Sequence, residues 1–396
     1  VSFPSDLAPI GSALFFVAQD AAAGRELWFF DTASGLVARL ADLRPGTAGS
    51  FPFSLTPSGS RLFFIADDGS SGRELWSTTG PGVAPTVVGP LAPAGLSAVG
   101  SPVPAQWGDR TGVVTVVTIY SGTTLTDQQL WFTDGTPDGT SLLLSAGSGP
   151  LAESIVNLVP LDSGLALFLA RRDTSTGPAF LRLVRLPGPG IPRVDVATLG
   201  DGSPQAFLGP PARLGNRLFF AFEPALGGGV HLWTSDLSPG GTRPVPWAGT
   251  GPAPRDPSEL LPTPLGVSFV AHTDATGVEI FRADPCARAI TLVSDILAGP
   301  ASSSPQELAL LGRTLFLTAR DPAAGQELWA LDLPFNPDCP ADYNADGTLD
   351  PDDLADAVSD YFDPAAAPGG RADFNLDCRI DPDDLADVIA AYFTGC

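Results

Sequence analysis

The feature that most constrains this chain is an internal period of about fifty residues. The phrase Leu14-Phe15-Phe16 returns at Leu62-Phe63-Phe64 and Leu218-Phe219-Phe220. Weaker copies stand at Val114-Thr115-Val116, Leu165-Ala166-Leu167-Phe168, Val267-Ser268-Phe269 and Leu315-Phe316-Leu317. The starting points 14, 62, 114, 165, 218, 267 and 315 lie 48 to 53 residues apart. A little further along each unit comes a second triplet: Glu26-Leu27-Trp28, Glu74-Leu75-Trp76, Gln129-Leu130-Trp131, His231-Leu232-Trp233, Glu279-Ile280-Phe281 and Glu327-Leu328-Trp329. In the fourth unit this place is degenerate, with Phe180-Leu181-Arg182-Leu183. A repeat of this length is one supersecondary unit that buries its apolar surface only against its neighbours.

Within a unit the pattern reads as four short strands, which in the second unit fall at 53–56, 61–66, 74–78 and 86–88. Pro57-Ser58-Gly59, residues 67–72 and Gly80-Pro81-Gly82 separate them and supply turn conformations that branched and aromatic residues do not adopt. The 44 Gly and 41 Pro, about a fifth of the 396 residues, are the punctuation of such a fold. No apolar pattern at helical spacing occurs before residue 340. Seven units of four strands predict an all-β, seven-bladed β-propeller over residues 1–333. Both faces of each blade pack on neighbours, which accounts for continuous apolar runs in place of strict alternation. The last unit meets Pro334 before a fourth strand can form. Either residues before Val1 supply that strand, or the blade has three.

These units resemble bacterial propeller repeats with the signature ELWxTDGTxxGT, related to hyalin-type repeats. Leu130-Trp131-Phe132-Thr133-Asp134-Gly135-Thr136-Pro137-Asp138-Gly139-Thr140 is the fullest match, and Thr234-Ser235-Asp236 with Gly241-Thr242 a partial one. The resemblance implies an extracellular or cell-surface scaffold and no catalytic residue.

The chemistry-bearing residues of the repeat region are few. Its histidines are His231, in the Glu place of an ELW triplet and read as a solvent-facing strand residue, and His272, read at a hairpin turn. Two histidines do not make a three-histidine zinc or copper site. Asp20, Asp67, Asp173, Asp274 and Asp321 repeat at one turn, and Glu26, Glu74, Glu279 and Glu327 repeat before the bulky pair. Acids that recur with the fold read as turn caps and structural ion pairs. Trp107 and Trp247 lie outside the repeated tryptophan place and are the candidates for an exposed, sugar-stacking or partner-contacting aromatic. The chain has no Lys, and its 21 Arg stand against 44 acids for a net charge of −23. That balance speaks against nucleic acid and against an anionic membrane surface. No apolar run approaches the roughly 18 residues of a membrane span.

Residues 334–338, Pro-rich, read as a linker, and 339–396 as a separate small module. From residue 336 onward there are 15 Asp, no Glu and two Arg, a net of −13 in 61 residues. Asp342-Tyr343-Asn344-Ala345-Asp346-Gly347-Thr348-Leu349-Asp350-Pro351-Asp352-Asp353 places oxygen side chains at positions 1, 3, 5, 9 and 12, with Gly at 6. Calcium takes six to eight oxygens, and short carboxylates on alternate residues of a tight loop converge on one point. The segment recurs as Asp373-Phe374-Asn375-Leu376-Asp377-Cys378-Arg379-Ile380-Asp381-Pro382-Asp383-Asp384, and Asp-Pro-Asp-Asp-Leu-Ala-Asp is identical at 350–356 and 381–387. Each loop leads into one short helix, with Leu354, Val358, Tyr361 and Phe362, or Leu385, Ile389, Tyr392 and Phe393, as its apolar stripe.

Two loop–helix units without entering helices resemble a type I dockerin, a module that docks extracellular polysaccharide-degrading proteins onto cohesin domains. The resemblance implies one or two Ca²⁺ ions held by Asp342, Asn344, Asp346, Thr348 (carbonyl), Asp350 (often through water) and Asp353, and likewise by Asp373, Asn375, Asp377, Arg379 (carbonyl), Asp381 and Asp384. Two departures stand out. Cys378 takes the place of the turn glycine, which puts the second site's affinity in question. Pro351-Asp352 and Pro382-Asp383 occupy the partner-recognition positions where dockerins often carry small hydroxyl residues, so the partner is cohesin-like or another cell-surface protein. The pseudo-twofold symmetry of the resemblance brings Cys339 and Cys396 together. A bond between them would close about 56 residues and stabilise the module by roughly 4 kcal/mol. Cys286 and Cys378 remain, and their pairing stays open.

Together these readings predict a secreted, non-catalytic binding scaffold. Its propeller would hold a carbohydrate or protein ligand, and its module would give calcium-dependent anchoring. The alternative is a dockerin-borne carbohydrate-active enzyme, a glycoside hydrolase or polysaccharide lyase of polysaccharide catabolism.

Overall fold

The strands predicted from the repeat form. Seven antiparallel sheets follow one another at residues 5–39, 53–87, 97–145, 153–199, 207–244, 255–294 and 306–332. The computed structural model describes residues 3–70, 72–89, 91, 97–107, 110–121, 124–147, 152–162, 164–171, 181–188, 190–199, 207–224, 227–333, 339, 341–344, 348–363, 373–374 and 378–394. The first, second, fourth, fifth and sixth sheets have four strands. The third carries a further strand, Ser97–Val99, on the far end of Arg110–Ser121. The seventh has three among the described residues, Gln306–Leu311, Thr314–Asp321 and Gly325–Asp332. Two helices, Pro351–Phe362 (α1) and Pro382–Thr394 (α2), complete the described elements. None of the helices is long and apolar enough to cross a membrane.

One register recurs from sheet to sheet. The third residue of the LFF phrase sits opposite the Trp of the ELW triplet in Phe16↔Trp28, Phe64↔Trp76, Phe220↔Trp233 and Leu317↔Trp329, and Phe269 faces Phe281. A one-residue slip would turn every side chain to the other face, so a pairing kept in five sheets shows that the repeat encodes register as well as strands. The first strand of each of four sheets carries a bulge with a left-handed residue in it: Asp6, Ser54, Glu259 and Glu307, at φ of 51°, 53°, 54° and 57°.

The chain divides into two compact units, Val1–Asp195 and Val196–Cys396. In the first unit, Phe15, Leu27, Leu62 and Phe64 form a core between the first and second sheets. Phe63, Ile65, Val113 and Val117 do so between the second and third, and Val114, Phe132, Leu165 and Leu167 between the third and fourth. In the second unit the equivalent cores are Phe219, Leu232, Phe269 and Phe281, then Ile280, Leu315 and Leu317. Phe63 and Phe64 are adjacent, point to opposite faces and are both fully buried, as two-sided packing requires.

Sheets also meet through backbone. Gly24 (φ 72°) lies so close to the entry of the second sheet that a Cβ would stand 2.7 Å from Thr47 O and Gly49 N. Gly277 holds the same place in the sixth sheet, against Ala301. Gly24→Ala adds a left-handed penalty of about 1 kcal/mol to this clash and is expected to lower stability by about 2–4 kcal/mol in urea unfolding.

Candidate metal centre

α1 begins where the sequence places the end of the first calcium loop. Asp350 is its N-cap and accepts from Asp352 N at 2.9 Å, Pro351 opens the helix, and Asp353 closes a capping box by accepting from Asp350 N at 2.9 Å. The other oxygen of Asp353 accepts from Asn344 N at 3.1 Å, so the twelfth residue draws the third back onto the helix start. α2 repeats this, with Asp383 N donating to Asp381 at 3.0 Å and Asp381 N to Asp384 at 2.9 Å.

The acids at the two ends of each loop point inward. Asp342 and Asp353 are 2% and 0% exposed, and Asp373 and Asp384 are both 2% exposed. Asn344, Asp350 and Asp381 are half-buried, whereas the side chains of Thr348 and Arg379 are exposed, as suits residues expected to offer only a carbonyl. Pro351, Asp352, Pro382 and Asp383 are exposed on the first turns of the helices. Asp346, Asn375 and Asp377 lie outside the described residues.

The first loop fits a cation. Two buried carboxylates stand in a stretch, 339–370, that contains no Arg and no His in a chain without Lys. Burying carboxylate charge costs several kcal/mol per ion unless donors or a cation balance it. The donor set is all oxygen, which suits calcium.

The second loop has different surroundings. Cys378 occupies the turn with φ 71°, the left-handed conformation that the glycine position demands, and it is disulfide-bonded to Cys286. Cys286 lies on the connection between Gly277–Ala283 and Ile290–Ser294 in the sixth sheet. Asp284 shapes that connection by accepting from Cys286 N at 3.0 Å and Ala289 N at 2.5 Å. Oδ2 of Asp373 stands 3.0 Å from Cys286 Sγ and 3.8 Å from the Arg288 guanidinium. Arg288 also donates to Cys378 O at 3.5 Å, and Arg217 of the fifth sheet reaches within 4.0 Å of Cys378 Sγ. Burial pushes the Arg217 guanidinium below its ordinary range, opposed by Asp236 and Asp284. Cys339 is buried and disulfide-bonded, and its expected partner Cys396 lies outside the described residues.

Between the helices, Tyr343, Ala357 and Val388 form a small core with Phe374, Leu385 and Ile389, and Tyr343 OH donates to Asp360 at 3.0 Å. The expected stripe is corrected at its ends, because Phe362 and Phe393 are each 76% exposed. At 100° per residue, Phe362 lies about 140° around the helix from the buried Ala357.

Other sequence readings are also corrected. Trp247 packs edge-on against Phe281 at 5.8 Å and is no free stacking platform. His231 is half-buried with Nδ1 3.2 Å from Pro254 O, and His272 sits within the strand Gly266–Thr273, not at a turn. Asp20 and Asp321 cap their turns as expected, each accepting from two amides. Asp274 pairs with Arg255 at 3.0 Å, while Asp173 and the side chain of Trp107 are not described. Glu26 and Glu279 are neither caps nor ion pairs. Both are fully buried and bind the entry of the next sheet: Glu26 takes the amide and hydroxyl of Ser50, and Glu279 those of Ser303.

A second feature is an open hollow of about 410 Å³, framed by the first strands of the fifth to seventh sheets. The exposed acids Asp256 and Glu259 stand at it beside Leu260 and Leu308.

No protein family profile matches the chain, and no curated protein does. Solved structures do. The solved structures similar to this chain include β-propeller domains. The structure reported for two prolyl endopeptidases is similar at a TM-score of 0.46 and 14% identity, over 85% of this chain and 51% of that one. The β-propeller domain of the Trilobed protease from Pyrococcus furiosus is similar at 0.40 and 9%, over 83% and 92%. A puromycin-hydrolyzing peptidase of Mycobacterium tuberculosis is similar at 0.42 and 13%, over 84% and 52%. The chain thus spans about half the length of the two whole peptidases. The likeness is one of fold. It nonetheless corrects the functional expectation. The expected non-catalytic ligand-binding scaffold anchored by its module, and its alternative, a dockerin-borne carbohydrate-active enzyme, have no counterpart among these structures, several of which are peptidases or hydrolases. Nothing in the structure or the comparisons supports a cohesin-like partner.

Proposed function

We propose that residues 339–396 form a calcium-binding module seated on the sixth of seven propeller-type blades, and that bound calcium holds the module in its folded form. The observation that carries this reading is the inward pair Asp342 and Asp353, from the two ends of one loop, in a stretch without a basic residue. Asp346 and Asn344 would complete the ligand set with the Thr348 carbonyl, and Asp350 would hold the ninth place. Calcium would supply the charge that these carboxylates share. The blade count follows the seven sheets at repeat spacing. An oxidising compartment outside the cytoplasm agrees with the Cys286–Cys378 bond and the bonded Cys339.

Thermal unfolding of the full chain in calcium and in chelator tests the proposal. Calcium at a hundred times its dissociation constant stabilises by about 2.7 kcal/mol. For a module of some 60 residues this raises the midpoint of its transition by roughly 10–20 °C. Asp342→Ala is expected to remove the shift. A midpoint that ignores calcium in the unsubstituted chain would refute the reading.

A further inference from the structure

We propose that the second loop is a covalent dock onto the sixth sheet and not a calcium site, so that the chain binds a single ion, at the first loop. The inference rests on the calcium reading of the first loop. The two loops share Asp-Pro-Asp-Asp-Leu-Ala-Asp and the same helix start, yet differ at the turn, where Gly347 is matched by Cys378. In a calcium loop the fifth and seventh residues both face the ion, and the sixth is the pivot between them. Here the pivot is bonded through its side chain to Cys286 of the sixth sheet. It keeps the left-handed backbone at φ 71° without the glycine that adopts it freely. The loop thus retains the turn and gives up the freedom to close on an ion.

One oxygen of the position-1 carboxylate is engaged as well. Asp373 is buried with one oxygen against Cys286 Sγ at 3.0 Å and Arg288 at 3.8 Å. A disulfide sulfur carries no proton, so the sulfur contact fills space without donating, and Arg288 supplies the positive charge. An ion would have to stand about 2.3–2.6 Å from this carboxylate. It would then share that space with the guanidinium of Arg288 and lie near that of Arg217, which approaches Cys378. A doubly charged cation is repelled by both.

Calcium binding to the full, oxidised chain, measured by equilibrium dialysis below millimolar, tests the inference. The unsubstituted chain is expected to hold one ion. Asp353→Asn, with the disulfide intact, is expected to hold none, with helicity checked by circular dichroism. Cys286→Ser/Cys378→Gly frees the turn and restores the glycine, and is expected to gain one ion over its parent. Two ions on the unsubstituted chain, one ion kept by Asp353→Asn, or no gain in a folded double variant would overturn the inference and leave the calcium reading standing. No ion on the unsubstituted chain would overturn the calcium reading itself, and the inference with it. Should the double variant fail to fold, the Asp353→Asn result decides alone.

Discussion

Glu279→Ala is expected to destabilise the protein by about 3–5 kcal/mol, measured as the shift of the urea transition. The Glu279 carboxylate is fully buried. It accepts from Ser303 N at 2.8 Å and Ser303 Oγ at 2.6 Å, both at the entry of the seventh sheet, and from Ile296 N at 3.1 Å. Removing it strands two backbone amides in the interior, each at about 1–3 kcal/mol, whereas the hydroxyl can rotate to another acceptor. Glu279→Gln keeps one acceptor oxygen and turns a donor toward donors, so it should lose about 2 kcal/mol. Ser303→Ala removes one partner and should lose about 1–2 kcal/mol. A Glu279→Ala variant within 1 kcal/mol of the parent would show that the carboxylate does not join the sheets.

Glu26 occupies the same place between the first and second sheets and adds a pH signature. Burial pushes its carboxyl above the usual 4.5, with the Ser50 hydroxyl and amide partly opposing. A carboxyl whose folded pKa is raised keeps its proton where the unfolded chain has already lost it. Its contribution is therefore largest at acid pH and declines as pH rises from about 4.5 through the folded value. Glu26→Gln should flatten that decline.

These acids show where sequence reading stopped. The ELW triplets disclosed the strands, the register and the recurrence of an acid, because apolar spacing is a local property. What the acid binds is Ser50 or Ser303, 24 residues further on, and nothing in the triplet points there. The signal was nevertheless present: Gly49-Ser50-Phe51 and Ser302-Ser303-Ser304 stand at the same offset from Glu26 and Glu279, a serine always at the middle place. The two loop–helix starts were legible for the opposite reason, since the repeated residues of each lie within twelve positions of one another. The surroundings of Asp373 were not, because Cys286 and Arg288 are brought to it from some ninety residues away. Phe362 and Phe393 misled because an apolar residue at i+8 fits a stripe by spacing while the actual face centres on Ala357 and Val388.

The Cys286–Cys378 bond carries the second large effect. It spans 92 residues of sequence, and on the chain-entropy view a loop of that length is worth roughly 4–5 kcal/mol through the unfolded state. Cys286→Ala and Cys378→Ala should each lose nearly all of this, and the double variant should lose little more than either, since one bond is broken in every case. Cys378→Gly separates bond from backbone. It breaks the same bond but relieves a non-glycine residue at φ 71°, so it should be about 1 kcal/mol more stable than Cys378→Ala. The loss should be read from the transition that includes α1 and α2, because the first-unit cores do not contain the bond. Limited proteolysis should then cut the variants near the second loop while the sheets of residues 5–145 stay protected. Additive losses in the double variant would mean that each cysteine packs independently and that the bond itself adds little.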